Sequence, residues 1–155
     1  MNKINIKKGF TLVELLVVIS IIGILTLVSV SSYINAQIKA RDAQRKSDLD
    51  QSSKALMLYY ADTGTFPTEA AFTFGNENGF NGSGSIIYMR KTPQDPKSPN
   101  AVYVYKTDGG SFNLFANFEN RNDSKCEETP YDVDGTEYCY GISSPNTIVT
   151  NWPRP

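Results

Sequence analysis

Residues 10–30 are apolar on every side, broken only by Thr11, Glu14, Ser20, Gly23, Thr26 and Ser29. A helix through them rises about 31 Å, which matches the hydrocarbon core of a bilayer. Five of the six breaks are small or hydroxylated and can be satisfied within a helix; Glu14 is the exception. After Val30 the pattern changes without any breaker, because neither glycine nor proline occurs between Leu25 and Asp62. Ile34, Ile38, Leu49, Leu56 and Tyr60 recur at helix-like intervals, with Arg41, Asp42, Arg45, Lys46, Asp48 and Asp50 between them. The pattern predicts one helix from Phe10 to about Ala61, roughly 78 Å long, apolar all round at first and amphipathic afterwards. Gly64 is its stop signal, with Pro67 beyond. The charged stretch 39–50 reads as a solvated face in preference to a contact strip between subunits.

The period then shortens to two. Residues 101–106 and 111–119 read as strands joined by the hairpin signal Thr107-Asp108-Gly109-Gly110. Phe112, Leu114, Ala116 and Phe118 alternate, so one face is predicted to pack on the helix. A third strand is expected at 137–142, and 147–152 is a candidate last edge. Residues 68–85, with Gly75, Gly79, Gly82 and Gly84, read as a flexible connection; no helix start or lysine follows in the register of a phosphate cradle.

Charge sharpens this division. The 155 residues carry a formal charge of −1, yet Lys3, Lys7 and Lys8 stand before the apolar run with no acid among them. Removing those three from the 15 basic residues leaves 12 against 16 acidic ones, about −4 for the remainder, which argues against a nucleic-acid-binding surface. Lysines on one flank, and none until Lys39 on the other, predict a membrane span over 10–30 with a cytoplasmic N-terminus. Histidine is absent, and neither GxxxxGK[ST] nor CxxC occurs, so nothing supports an enzyme. Cys126 and Cys139 lie in a turn-rich stretch. In an exported domain that pair reads as a disulfide, stabilising by about 3 kcal/mol on the chain-entropy estimate; in a cytosolic protein they would be two thiols. The fold class is therefore α+β: a long N-terminal helix, half membrane and half amphipathic, packed on a small antiparallel sheet with a C-terminal disulfide loop. The helix takes 10–62 and the globular β domain 63–155. Within the cysteine loop, Asp132, Asp134 and Glu137 surround Gly135 as calcium candidates on a partial match, although a polar turn is the commoner use of such residues. Asn81-Gly82-Ser83 and Asn122-Asp123-Ser124 fit a glycosylation pattern with a high chance rate.

Three readings compete for the apolar run. A cleaved secretory signal would have a shorter apolar region, although Ser29-Val30-Ser31 is a tolerable cleavage site. A plain membrane anchor explains the lysines and the length but not Glu14. The third starts from Lys8-Gly9-Phe10-Thr11-Leu12-Val13-Glu14-Leu15-Leu16. This stretch resembles the class III leader of the type IV pilin family, which includes the type II secretion pseudopilins. Tyr60-x-Asp62-x-Gly64-x-Phe66-Pro67 also resembles the pattern that ends the long helix in that family. Thr92-Pro93-Gln94-Asp95-Pro96 followed by Tyr103-x-Tyr105 resembles a segment of major pseudopilins. The chain then departs from them, with a cysteine pair where their calcium loop would stand.

The resemblance implies removal of leader residues 1–9 by a prepilin peptidase, N-methylation of Phe10, and retention of the apolar helix. It implies a homopolymer built from a membrane pool by an inner-membrane assembly platform and an assembly ATPase, with minor pilins as further candidate partners. The product would be a cell-surface type IV pilus; the alternative is the major pseudopilin of a type II secretion system. Glu14, unpaired within the apolar run, would accept the Phe10 amine of a neighbouring subunit, unless it lies close enough to the interface to stay hydrated. An exported binding module or enzyme on a simple anchor is the remaining, different class.

Overall fold

The computed structural model describes residues 9–82 and 86–150, apart from the side chains of 27–31. Leader residues 1–8, Ser83 of the first glycosylation pattern and the end of the 147–152 candidate edge lie outside the described residues. The chain divides into two compact units, 1–37 and 38–155. Helix α1, Leu12–Thr63, contributes to both and ends within two residues of the predicted stop. Gly64 closes it at a φ of 77°, a left-handed conformation that suits glycine, and donates its N–H to the Tyr60 carbonyl at 2.8 Å.

The helix exit explains the pattern around Gly64. Tyr60 stacks on Phe66 across the turn, with ring centroids 4.5 Å apart. Asp62 accepts the Tyr88 hydroxyl at 2.8 Å, and the Pro67 carbonyl accepts the Tyr105 hydroxyl at 2.7 Å. Each residue of the pattern thus ties the helix end to the domain that follows.

Beyond the helix come β1 (Phe80–Asn81), β2 (Ile87–Met89), β3 (Val104–Thr107), β4 (Phe112–Ala116), β5 (Tyr131–Val133), β6 (Thr136–Tyr138) and β7 (Tyr140–Ser143). The central sheet has the order β3-β4-β7, antiparallel, with Tyr105 opposite Leu114 and Leu114 opposite Ile142. The predicted alternation holds: Phe112, Leu114 and Ala116 share one core with Leu49 and Leu56 of the helix. The opposite face of β4 is buried too, since Phe115 packs with Val133 and Tyr138 of the β5–β6 hairpin.

The strand expected at 137–142 is instead two strands. β6 pairs with β5 and β7 with β4, and Cys139 stands between them. Its disulfide to Cys126, the N–H it donates to Asn117 at 3.1 Å and the N–H its carbonyl accepts from Glu127 at 2.7 Å fix the corner. Residues 147–150 form no strand. The segment read as a flexible connection carries β1 and buries Phe72 and Phe80 edge to face at 5.1 Å. Gly79 permits this hairpin, for at its φ of 73° a Cβ would strike the Met89 carbonyl.

The charged stretch 39–50 is not a solvated face. Asp42, Arg45 and Asp48 are buried, and Arg45 is only 1% exposed. The Arg45 guanidinium grips Asp95 with two bonds, Nε to Oδ2 at 2.8 Å and Nη2 to Oδ1 at 3.0 Å. Its Nη1 donates to Asp42 at 2.6 Å and to Glu119 at 3.1 Å. Burial alone would lower the Arg45 pKa; the hydrogen bonds to Asp95 and Asp42 outweigh it and raise it. Asp42 also accepts the backbone N–H groups of Glu119 and Asn120, at 3.0 and 2.9 Å. Asp48 accepts the Tyr103 hydroxyl at 2.8 Å. Further out, Arg41 and Lys97 both reach Glu119, and Lys46 reaches Asp123. The Thr-Pro-x-Asp-Pro and Tyr-x-Tyr segments are therefore brought to the same face of α1, Asp95 by Arg45 and Tyr103 by Asp48.

Removing one partner of a buried ion pair leaves an uncompensated charge. Asp95→Ala is therefore expected to destabilise the domain by about 3–5 kcal/mol, read by chemical denaturation of the full chain in detergent. Arg41→Ala, at the rim of the same cluster, is expected to cost much less. Acid should act through Glu119, which Arg41 and then Lys97 and Arg45 hold down to about 2 against the opposing effect of burial. A carboxyl depressed in the folded state contributes stability that is complete above its ordinary value, near 4.5, and is lost as pH falls toward about 2. The denaturation midpoint should accordingly fall more steeply over that window in the native chain than in Glu119→Gln.

Candidate assembly site

The predicted processing and docking residues lie together where α1 begins. Gly9 and Phe10 precede the helix in exposed chain, with Phe10 at 91% exposure. Nothing described comes within 4 Å of a Cβ built on Gly9, and its φ is not in the left-handed region. No described contact within the chain therefore calls for glycine at position 9. A demand for it would come from whatever binds this junction.

Glu14 is not without a partner inside its own chain. The Thr11 N–H and the Thr11 hydroxyl both donate to Glu14 Oε2 at 2.8 Å, while the Glu14 N–H donates to Thr11 Oγ1 at 3.2 Å. This reciprocal pair is a capping box: Thr11 is the residue before the first turn and Glu14 the third within it. A carboxylate there also faces the positive end of the helix dipole. Sequence reasoning looked for a counter-charge and missed Thr11, although the T-x-x-E spacing before an apolar run was the available signal. Both Thr11 bonds fall on Oε2, so the carboxylate keeps Oε1 to offer a second donor.

Past the cap, every large apolar side chain from Leu12 to Leu25 is exposed, the most covered of them still at 49%. Ser20 and Thr26 donate their hydroxyls to the carbonyls four residues back, Leu16 and Ile22, at 2.8 and 2.7 Å. The polar breaks are thus satisfied within the helix, which is what an apolar surrounding requires. Among the described residues no helix is long and apolar enough to cross a membrane, and the side chains of 27–31 fall outside that set. The span over 10–30 accordingly rests on the sequence.

Two of the three calcium candidates are engaged elsewhere. Asp132 Oδ1 accepts the Gly135 N–H at 2.8 Å, and Asp134 pairs with Lys106 at 2.6 Å. Among the described residues no group of three or more acidic, histidine or cysteine side chains is arranged to hold a metal ion. The two cysteines, by contrast, are brought together as a disulfide.

Residues 4–30 match the family model described as the prokaryotic N-terminal methylation motif. The chain is 28% identical over 120 residues to the type II secretion system core protein G of Vibrio cholerae serotype O1, covering 74% of this chain and 82% of that protein. The protein of the same name from Escherichia coli K12 is 29% identical over 119 residues, 71% of this chain and 80% of its own length. The type IV major pilin protein PilA of Myxococcus xanthus is 36% identical over 74 residues, covering 47% of this chain but 31% of that protein. No solved structure matches. With an N-terminal methylation motif, relatives on both the pilin and the secretion side, and a long helix packed on a small antiparallel sheet, the chain resembles the subunits of type IV pili and of type II secretion systems.

Proposed function

We propose that the chain is the pilin of a type IV pilus, made as a membrane precursor, cut after Gly9 and polymerised through the apolar start of α1. The observation that carries this reading is the arrangement at the helix start. An exposed Gly9–Phe10 junction stands one helical turn from a carboxylate, ahead of a helix whose apolar side chains find no cover within the described chain. Hydrolysis of the Gly9–Phe10 bond by a prepilin peptidase leaves a carboxylate on Gly9 and an ammonium on Phe10, which is then N-methylated. In a staggered stack of helices the Phe10 ammonium of one subunit meets Glu14 Oε1 of its neighbour, while Thr11 holds Oε2. A charge entering an apolar filament core would then arrive paired, which is the condition for burying it. The contact joins unlike surfaces and does not close on itself, so it propagates as a filament. The assembly platform and its ATPase would lift subunits from a membrane pool whose N-termini face the cytoplasm.

The closed Cys126–Cys139 loop supports the surface-pilus reading. The major pseudopilin of a type II secretion system is the second reading, favoured because the core protein G matches run through 74% and 71% of this chain where the PilA match covers 47%. Extended surface filaments at native expression would support the pilus. Loss of protein secretion on deletion, with no surface filaments, would support the pseudopilus.

Two outcomes are expected of the processing reading. The native protein should begin at a methylated Phe10 by intact mass, and Gly9→Val should accumulate as a precursor retaining residues 1–9. A native start at Met1 or near Ser32 would overturn it. Glu14 can be tested apart from its capping role, because glutamine also serves at that capping-box position. Docking by charge predicts that Glu14→Gln and Glu14→Ala both insert into the membrane and both lose filaments in electron micrographs. If Glu14 matters only as a cap, Glu14→Gln should polymerise normally.

A further inference from the structure

We infer that residues 147–150 of one copy add as an extended strand to the open edge of β3 in a second copy, linking adjacent globular domains. The inference deepens the filament reading and depends on it only for where the contact propagates. Strand β3 is terminal in its sheet, and no described strand pairs with its outer side. Along that side runs a cleft of about 450 Å³, lined by Phe74, Gln94, Val102, Val104 and Lys106 among others. Val102, in its lining, is 53% exposed. An open edge beside exposed apolar side chains is a template for another chain.

The complementary feature is Thr147-Ile148-Val149-Thr150, four consecutive β-branched residues that favour a strand yet form none. Val149 is partly buried against Phe115, and a Cβ on Gly141 would run into its side chain, so Gly141 of β7 provides the slot that seats it. Its neighbour Ile148 is 75% exposed, the highest value among the large apolar side chains described in residues 38–155. The segment is thus held on both sides of Ile148, at Val149 and at Thr147, whose N–H donates to the Ser144 carbonyl at 3.1 Å and whose carbonyl accepts the Ser143 hydroxyl at 2.9 Å; Ile148 between them is presented outward.

It cannot serve its own β3. The sheet order is β3-β4-β7, so a strand docked outside β3 would lie about 14 Å, three strand spacings, from β7 where Val149 is seated. A second copy meets no such restriction. Charge also fits: residues 145–150 carry no ionisable side chain, and Lys106 in the cleft is already paired with Asp134 at 2.6 Å and Glu69 at 3.2 Å. Docking therefore leaves no cation buried without its partner. Because donor segment and acceptor edge are different surfaces, the contact repeats from copy to copy.

The test uses introduced cysteines in the full chain, in membranes or filaments from expressing cells, bridged by a short bis-maleimide. The native cysteines are tied to each other and do not react. The doubly substituted chain, Val102→Cys with Ile148→Cys, is expected to give a ladder of covalent dimers, trimers and higher species. A mixture of the two singly substituted chains should stop at dimers containing one of each. Absence of cross-linked species in the double variant, or dimers from Ile148→Cys alone, would overturn the inference. Electron microscopy of the unsubstituted chain judges the filament reading separately: filaments without a ladder refute only the strand contact, and a ladder without filaments refutes only the filament.

Discussion

A guanidinium with 1% of its surface open to water cannot shed its proton, so its surroundings must supply the counter-charge. Arg45 meets that demand with carboxylates from three parts of the chain: Asp42 one turn back on α1, Asp95 in the loop before β3, and Glu119 after β4. Those three segments are consequently obliged to converge on one face of the helix. Fork geometry makes the demand stricter, because the two bonds to Asp95 require a planar pair of donors that lysine lacks. The apolar core on Leu49 and Leu56 supplies the nonspecific attraction. The ion cluster specifies where along α1 the domain sits, and Arg41, its outermost member on the helix, lies three residues after the compact unit begins at Ile38.

The two ends of α1 thus handle charge in opposite ways. In the second unit several charged groups are paired inside the subunit, and the domain is complete on that face. Among the described residues of the first unit there is one charged side chain, Glu14, and its partner Thr11 is neutral. A capping box satisfies the hydrogen-bonding capacity of one oxygen but supplies no positive charge. Such a carboxylate is comfortable at a hydrated helix start and costly in a dry one, so the free subunit is stable while the assembled one gains from an ammonium. Capping and docking are successive states of one group.

Much of this was legible from spacing. The long helix, its stop at Gly64, the β3–β4 hairpin and the apolar face of β4 follow from periods of 3.6 and 2 and from one glycine. Projecting the Leu49–Leu56 stripe one turn back reaches Arg45 and then Asp42, so the burial of that pair was present in the helical spacing. Residue type hid it, since an arginine between aspartates ordinarily faces solvent, and its third partner, Asp95, lies 50 residues away in a loop that no period predicts. The split of residues 137–142 into β6 and β7 was hidden for a similar reason. The bond from Cys139 to Cys126, the side chain of Asn117 and the Glu127 N–H force a corner into a run that otherwise reads as one strand.

The C-terminal loop brings these points together. A partial match to calcium loops makes Asp132, Asp134 and Glu137 around Gly135 candidates there, although the chain departs from its resembled family at this loop and a polar turn is the commoner use of such residues. Two of them have other work. Asp132 holds the turn through the Gly135 N–H, and Asp134 reaches across to Lys106 on β3. An ion in a loop brings distant backbone together by gathering oxygens from several positions. Here the disulfide joins Cys126 to the corner between β6 and β7, which fixes that separation without gathering any ligands. Once a covalent bond holds the loop, its carboxylates are released for local hydrogen bonds and ion pairs, and the same residue types that resemble a metal site become part of the packing between the β5–β6 hairpin and the central sheet.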